Sequence, residues 1–405
     1  MRGEPRAAKE CGAPSADTSD MDSDAKNQQG RKQPEGFGTL SLEPTTGNRA
    51  LRALVLGTRG SALAIWQAEY VARRLADAWP DVRVCLERIR TTGDKILDVP
   101  LASVGGKALF VKEIEEALLD GRVDLAVHSL KDVPAELPAG LLLAATPERE
   151  DPSDVLISRT GTRLADLVRG ARVGTSSLRR QAQLLHIRPD LEIVGVRGNL
   201  DTRIRKLHSE GLHAIVLAAA GLKRLGLERV ITEVLPTDVM LPAVGQGVLA
   251  IETRDASAER RAPSAEKKSS HEPRATRIEK SRESGESRDD LPLSDVAVGR
   301  EMTVAELVAA LDHRETHVAV RAERGFLRRL GGGCQVPIAA LATIQDSTIH
   351  LSGLIADLDG RAMVRGDSRG QVDEPEAVGI ALAEDLLARG GRALLARLNE
   401  GQGHG

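Results

Sequence analysis

The sequence predicts an α/β protein with two α/β units followed by a smaller α+β domain. Short apolar segments alternate with amphipathic helical segments between residues 53 and 240, which is typical of βαβ units. Further along, Thr303 and Glu306 match a helix-capping box. The helix that it begins is followed by strand-like segments and an apolar C-terminal helix, which indicates a separate α+β domain.

The first α/β unit ends near Glu150. Its predicted elements, in order, are the strand ALVLG (53–57), a helix after Ser61, the strand VRVCLERI (82–89), a helix over 107–119, the strand VDLAVHSL (123–130) and the strand LLLAA (141–145).

The second α/β unit covers residues 154–240. Its predicted elements are the strand DVLISR, the strand in ARVGTSS, the helix LRRQAQLLHI, the strand LEIVGV, the helix DTRIRKLHSEG and the strand AIVLAAAG. In the third region, Val304, Leu307, Val308 and Leu311 form an apolar stripe at helical spacing, and a C-terminal helix is predicted over 375–398.

Two stretches interrupt this pattern. Residues 1–49 and residues 257–295 are rich in charged and small residues and lack apolar periodicity, so they bury too little surface to offset the entropy of ordering. We expect the first to be a disordered tail and the second to be a solvated insertion in a surface loop.

The composition is that of a globular protein. The 405 residues include 41% hydrophobic and 28% charged side chains, and the formal net charge is −3. This charge favours neither a nucleic-acid nor a membrane partner, and only two Trp, one Tyr and three Phe are present to stack on bases. With no apolar run near the roughly 20 residues of a membrane span and no secretory pattern, we expect a cytoplasmic protein.

Three junctions between a strand and a helix share small residues and arginine: GTRGS (57–61), GTSSLRR (174–180) and VRGNLDTR (196–203). Free N–H groups at a helix start, hydroxyl donors and guanidinium groups together favour anions. The repetition therefore indicates a polyanionic ligand. The alternative is that Ser and Thr only cap helices while the arginines are solvated. No nucleotide-binding phosphate loop is present.

Lys131 and Asp132 follow a strand and precede Pro134. Ligands of open α/β sheets bind beyond the carboxyl ends of strands, so Asp132 is a candidate proton acceptor or cation stabiliser. The alternative is a surface ion pair in a turn. His128, in the strand, is interpreted as a structural histidine.

Cys334 lies in the loop GGGCQVPI, where glycines let a ligand approach closely. The alternative for Cys334 is an inert buried cysteine. Cys85 lies in a predicted strand, where core or edge packing explains it. With no Cys-x-x-Cys and no Cys/His metal spacing, we expect no metal.

Nine ordered segments together resemble the hydroxymethylbilane synthase (porphobilinogen deaminase) family. They are LGTRGSALAIWQAE, TTGDKILDVPLASVGGKALFVKEIE, AVHSLKDVP, EREDPSDVLIS, GTSSLRRQAQL, VRGNLDTRIRKL, LAAAGLKRLGL, LPAVGQG and GGGCQVPI. The resemblance runs from about Leu54 to the C-terminal helix and excludes the tail and the insertion.

The resemblance implies two domains like type-2 periplasmic binding proteins, separated by a hinged cleft, and a third domain that carries the cysteine. The implied domain 1 is 50–150 with 243–313, domain 2 is 151–242, and domain 3 is 314–405. The implied reaction is the stepwise condensation of four porphobilinogen molecules with loss of ammonia on an enzyme-bound dipyrromethane, followed by hydrolysis. We expect a monomer that uses porphobilinogen and binds neither nucleic acid nor membrane.

The resemblance also implies site residues. Asp132 would be catalytic, and Cys334 would carry the dipyrromethane through a thioether. The implied cofactor-binding residues are Lys131, Thr175, Ser177, Arg179, Arg180, Arg197, Arg203 and Phe110. The implied substrate-binding residues are Arg59, Ser61, Arg197, Arg203, Arg224 and Gln246. A non-catalytic anion-binding protein of the same two-domain architecture is the alternative, but it leaves Cys334 and the third domain unexplained.

Overall fold

Three β-sheets with flanking helices make up the described part of the chain. The computed structural model describes residues 52–95, 110–255, 302–331 and 336–402. The predicted tail, the predicted insertion 257–295 and Cys334 lie outside these residues.

The elements follow the predicted alternation of strands and helices. The first group is β1 (Arg52–Thr58), α1 (Ala62–Ala78), β2 (Val82–Arg88), α2 (Thr92–Lys95), α3 (Lys112–Leu119), β3 (Leu125–Ser129) and β4 (Leu141–Ala145). The second group is β5 (Asp154–Ser158), β6 (Arg172–Gly174), α4 (Leu178–Ile187), β7 (Glu192–Val194), α5 (Leu200–Ser209), β8 (Ala214–Ala218), α6 (Ala219–Arg224) and β9 (Glu233–Leu235).

The remaining elements return to the first sheet and then build the third. They are β10 (Leu249–Arg254), α7 (Val304–Val308), α8 (Arg314–Arg329), β11 (Ile338–Gln345), β12 (Thr348–Ala356), β13 (Met363–Gln371), α9 (Pro375–Leu386) and α10 (Arg392–Gln402).

The first two sheets have the same topology. Their strand orders are β2-β1-β3-β10-β4 and β7-β6-β8-β5-β9. In each sheet the first three strands of the order are parallel, and the fourth is antiparallel to both of its neighbours. These antiparallel strands, β10 and β5, are the ones that the chain enters after crossing from the other sheet. Two crossovers, 146–153 and 236–248, therefore join the sheets.

The third sheet is an antiparallel meander of order β11-β12-β13. Helices α8 and α9 cover one face, and the fully buried Phe326 lies in their core. The two helices approach closely because Gly379 has no side chain: a Cβ there would lie 2.1 Å from the carbonyl oxygen of Ala322. The predicted fold class, two α/β units followed by a small α+β domain, is confirmed. The exact domain boundaries and the hinge motion remain predictions.

The structure differs from the predictions in two helical regions. The segment AIVLAAAG is not one strand, because β8 ends at Ala218 and α6 begins at Ala219. Alanine has the highest helix propensity, so the chain can turn into a helix at once. The predicted helix over 375–398 is two helices, separated at residues 387–391, where Gly390 has a φ of +114°. No helix of the described residues has the length and apolarity needed to cross a membrane.

Candidate active site: a cationic cleft

Serine side chains cap two of the three helix starts singled out in the sequence. Ser61 Oγ accepts a hydrogen bond from Ala64 N at 3.3 Å, and Ser177 Oγ accepts one from Arg180 N at 3.4 Å. The capping interpretation is therefore confirmed for both hydroxyls. Capping uses only the oxygen as an acceptor, so each O–H remains a donor for a ligand.

A pocket of about 70 Å³ lies at the carboxyl end of β3. Its lining includes Arg59, Ser61, Phe110 and Asp132. The Arg59 guanidinium carbon lies 4.3 Å from the centroid of the Phe110 ring, within cation–π range. The structure thus brings together four predicted site residues from the junction between β1 and α1, the segment before α3 and the turn after β3.

Arg179 and Arg180 bind a buried carboxylate that the sequence analysis did not single out. Arg179 Nη1 lies 2.6 Å from Asp154 Oδ2, and Arg180 Nη2 lies 2.7 Å from Asp154 Oδ1. Both arginines are only 5% exposed, so the alternative of solvated arginines is wrong for this pair. Burial opposes ionisation of Asp154, but the two guanidinium charges outweigh it and lower the pKa of Asp154 below its usual range.

Gln246 joins the same cluster from the second crossover. Its Nε2 donates to Asp154 Oδ1 at 2.9 Å and to the Pro152 carbonyl at 2.7 Å. One donor and one acceptor of the cluster remain unsatisfied: Arg179 Nε and Gln246 Oε1 are buried and have no hydrogen-bond partner among the described residues. Orphaned buried polar atoms are costly, so a polar ligand that reaches them would be stabilised.

Lys131 and Arg203 add positive charge beside this cluster. Desolvation, followed by repulsion from Arg180, lowers the pKa of Lys131 to about 8, although Asp132 opposes the shift. Desolvation and the charge of Arg180 likewise lower the pKa of Arg203 to about 10. Lys131 and Asp132 are both half-buried in their turn. The charge of Arg180 lowers the pKa of Lys131 and of Arg203 alike, so the turn after β3, α4 and α5 contribute cations to one region.

The other predicted residues occupy the same region. Thr175 is buried, and its Oγ1 accepts from Ser177 N at 3.2 Å. Arg224 Nη2 donates to the Gly247 carbonyl at 2.7 Å, its guanidinium lies 6.0 Å from the Trp66 ring, and burial lowers its pKa to about 10. Arg197 is half-buried on the loop before α5.

We call the region around Lys131, Asp132, Asp154 and the neighbouring arginines the cationic cleft. This cleft contains more cationic than anionic groups. Lys131, Arg179, Arg180 and Arg203 outnumber the carboxylates of Asp132 and Asp154. A ligand with several carboxylates would relieve the repulsion among these cations, and arginine binds carboxylates through paired hydrogen bonds. The donor set therefore fits a dipyrromethane with carboxylate side chains. Among the residues that the structure describes, no cluster of His, Cys, Asp and Glu could hold a metal ion.

Asp154 could have been noticed in the sequence, because it is an acidic residue at the first position of the apolar segment DVLIS. Its partners could not be identified, since Arg179 lies 25 and Gln246 lies 92 residues further along the chain. The sequence also gave no sign that His128 pairs with Glu252, whose carboxylate oxygen Oε2 lies 3.2 Å from His128 Nε2.

Replacing Asp154 by Asn is expected to lower the free energy of unfolding by roughly 3–5 kcal/mol, because two buried guanidinium groups lose their counter-charge. Urea denaturation followed by circular dichroism measures this loss. The control is Asp385→Asn, which breaks an exposed pair with Arg389 and should change stability little. Equal stability of both variants would contradict a structural role for the Asp154 cluster.

Comparisons with protein-family models and with curated proteins point to the same family over most of the chain. A family model described as "Porphobilinogen deaminase, dipyromethane cofactor binding domain" matches residues 54–262, and one described as "Porphobilinogen deaminase, C-terminal domain" matches residues 317–388. The porphobilinogen deaminase of Syntrophotalea carbinolica is 51% identical over 347 residues, which is 86% of this chain and 96% of that protein. The porphobilinogen deaminase of Moorella thermoacetica is 49% identical over 340 residues, 84% of this chain and 95% of that protein.

Solved structures of periplasmic binding proteins are also similar, at a lower level. A TRAP periplasmic solute binding protein from Desulfovibrio salexigens has a TM-score of 0.33 and 14% identity, covering 53% of this chain and 69% of that one. A periplasmic aliphatic sulphonate binding protein from Escherichia coli has a TM-score of 0.32 and 17% identity, covering 52% and 63%. Scores at this level carry no conclusion by themselves.

Proposed function

Since the chain belongs to the porphobilinogen deaminase family, it condenses porphobilinogen to hydroxymethylbilane, and we propose that the cationic cleft binds the pyrrole carboxylates while Asp132 carries the chemistry. The observation that supports this assignment most directly is the surplus of buried and half-buried cations around Asp132 and Asp154. Each porphobilinogen carries an acetate and a propionate, so a growing chain brings many carboxylates that need cationic partners away from water.

Asp132 is proposed as the catalytic residue. Its half-buried carboxylate shares the pocket with Arg59 and Phe110. There it would hydrogen-bond pyrrole N–H groups and stabilise the positive charge that develops on porphobilinogen as ammonia leaves. Such a fixed charge is effective where water is partly excluded.

Cys334 is proposed as the attachment point of the dipyrromethane. When bound, that group supplies the free pyrrole α-position to which porphobilinogen adds. Cys334 follows α8 by five residues, which limits its distance from the helix end to roughly 18 Å. Arg324 of α8 donates to the carbonyls of Pro134 and Ala135 at 2.8 and 2.9 Å, so this helix is held against the turn that follows Asp132.

We divide the binding roles as follows. Lys131, Thr175, Ser177, Arg179, Arg180 and Phe110 are assigned to the dipyrromethane, Arg59, Ser61, Arg224 and Gln246 to the incoming substrate, and Arg197 and Arg203 to both. Support for the first set comes from Arg179 Nε, which is buried without a hydrogen-bond partner among the described residues. Gln246 reaches a substrate only through its Oε1, because its Nε2 is already engaged.

The activity is tested by incubating the purified chain with porphobilinogen. We expect hydroxymethylbilane to form with the release of four ammonia molecules per product. Binding of porphobilinogen without ammonia release would instead support the non-catalytic anion-binding protein. We also infer a cytoplasmic monomer, and light scattering after size exclusion tests the monomer.

The concentration of preformed hydroxymethylbilane at which unloaded protein acquires its dipyrromethane at half the maximal rate is expected to rise as the pH increases through about 8, because Lys131 loses its charge there. Below that pH the ammonium group pairs with a carboxylate of the dipyrromethane, and above it this pairing is lost. Lys131→Gln should raise this half-saturating concentration at pH 7 by roughly tenfold or more, as for a hydrogen bond to a charged group, and flatten the profile between pH 7 and 9. Lys131→Arg keeps its charge in this range, so its half-saturating concentration should not rise near pH 8. A flat wild-type profile would contradict this role.

A further inference from the structure

Glu115, His128 and Glu252 form a buried cluster under the candidate active site. They belong to α3, β3 and β10, and each is at most 5% exposed. His128 Nε2 lies 3.2 Å from Glu252 Oε2. The antiparallel pairing of β3 with β10 places Ala250 opposite His128, so Glu252 is two residues along on the same face of the sheet.

The carboxylates of this cluster lack ordinary partners. Glu115 Oε1 and both carboxylate oxygens of Glu252 are buried without a hydrogen-bond partner among the described residues. An ionised carboxylate without such partners is costly in a buried place. Desolvation and the charge of Glu252 raise the pKa of Glu115 to about 7, while His128 opposes the shift and Glu116 adds to it. Near neutral pH Glu115 can both take up and release a proton.

The charged groups around the cluster come from few elements. Glu116 belongs to α3, beside Glu115, and is exposed. Arg324 of α8 interacts electrostatically with Glu252, although its guanidinium donates to two carbonyls after Asp132. Arg254, next on β10, donates to the carbonyls of Leu118 and Val123 instead. No described cation therefore makes a direct ion pair with either Glu115 or Glu252, apart from a protonated His128.

His128 connects the cluster with the reaction. Its side chain lines the same pocket as Asp132 and Arg59. Because Nε2 faces Glu252, Nδ1 is the ring nitrogen available to a proton from the pocket. His128 Nε2 lies within hydrogen-bonding distance of Glu252 Oε2, although the two groups are not aligned for a hydrogen bond in this structure. Once they are aligned, an imidazole that gives its proton to a carboxylate at one nitrogen can accept a proton at the other.

We propose that His128, Glu252 and Glu115 form a proton relay that accepts the proton lost from the pyrrole α-position in each condensation. This inference rests on the proposed function of the cleft. In one cycle the C–N bond of porphobilinogen breaks, ammonia leaves, and a C–C bond forms to the α-carbon. The C–H bond at that carbon then breaks. His128 Nδ1 takes the proton while Nε2 passes its own to Glu252, with Glu115 sharing the charge. Return of the proton to ammonia releases ammonium and leaves Asp132 ionised.

The relay is tested with Glu252→Gln and His128→Gln, assayed with porphobilinogen that carries deuterium at the free α-position. We expect kcat to fall by roughly 10²-fold, the lower end of what positioned proton transfer contributes. The isotope effect on kcat should rise from near unity in the wild type to more than about twofold, because proton removal becomes the slow step. A change in packing alone would lower kcat without raising the isotope effect.

Glu115→Gln provides an independent measurement and a second variant in case His128→Gln fails to fold. In the wild type, kcat should fall as the pH drops below about 7, where Glu115 becomes protonated and can no longer share a proton, and this limb should move in Glu115→Gln. The urea concentration at the wild-type unfolding midpoint should also decrease as the pH rises from 5 to 7. The reason is that the folded state binds the Glu115 proton more tightly than the unfolded chain does, so this stabilisation is lost as the proton leaves. That slope should be absent in Glu115→Gln.

Glu116→Gln is the matched control, because it removes the same charge from an exposed position one residue along. It should retain the wild-type kcat and isotope effect, and its pH profile should move much less than that of Glu115→Gln, because the charge of Glu116 is the smallest contribution to the raised pKa of Glu115. If all three cluster variants behave like this control while the wild type makes hydroxymethylbilane, the relay is wrong and the proposed function stands. If the wild type makes no hydroxymethylbilane, the function itself is wrong.

Discussion

Cys334→Ser is expected to give a folded protein that carries no dipyrromethane and makes no hydroxymethylbilane. A thioether forms when a thiol adds to the electrophilic methylene that porphobilinogen presents after losing ammonia, and a serine hydroxyl is a far weaker nucleophile than a thiolate. Intact-mass measurement decides the matter without an activity assay. The wild-type mass should exceed that of the chain by two porphobilinogen molecules minus two ammonia molecules, and Cys334→Ser should show the chain alone.

Cys85→Ser is the matched control, because Cys85 is an exposed free thiol on the edge strand β2. It should keep the full added mass. We also expect Cys334→Ser to unfold at a lower temperature than Cys85→Ser, since Lys131, Arg179, Arg180 and Arg203 lose the carboxylates that relieve their repulsion. An added mass that persists in Cys334→Ser would place the attachment elsewhere and overturn the assignment.

Local patterns in the sequence predicted the fold well. Apolar alternation and helix-start residues are short-range signals, so β1, α1 and the turn after β3 could be located from them. The same signals identified Ser61 and Ser177 as helix caps. The prediction was less accurate where one residue type serves two structures, as at Ala218 and Ala219, where an apolar run changes from strand to helix.

The chemistry of the cleft depended on long-range contacts that no local pattern contains. Arg179 and Arg180 could be identified as anion-binding residues, but not as partners of Asp154, because only the pairing of β5 with β8 and the position of α4 bring them together. His128 was interpreted as a structural histidine. The structure shows it buried as expected, but paired with a carboxylate from β10 and lining the pocket.

Asp132→Asn is expected to reduce turnover of porphobilinogen by roughly 10³-fold, because it removes a fixed negative charge from the pocket where positive charge develops. The fold should be retained. Asp132 lies in a short turn held by backbone hydrogen bonds, Leu130 N to the Val248 carbonyl and Val133 N to the Leu130 carbonyl, both 3.0 Å long. Turnover is measured as ammonia release, and unfolding in urea checks stability.

Attachment of the dipyrromethane, here called loading, must be separated from turnover in this experiment, because the dipyrromethane is itself assembled from porphobilinogen. A variant purified without the added mass would be inactive whether it had failed to acquire the dipyrromethane or had lost the catalytic step. Asp132→Asn is therefore incubated with preformed hydroxymethylbilane, its added mass is verified, and ammonia release is then followed. Loaded but inactive protein is the expected result. Asp154→Asn provides the contrast, since it should lose stability, whereas Asp132→Asn should lose the chemical step. Wild-type turnover in loaded Asp132→Asn would show that another group stabilises the developing charge.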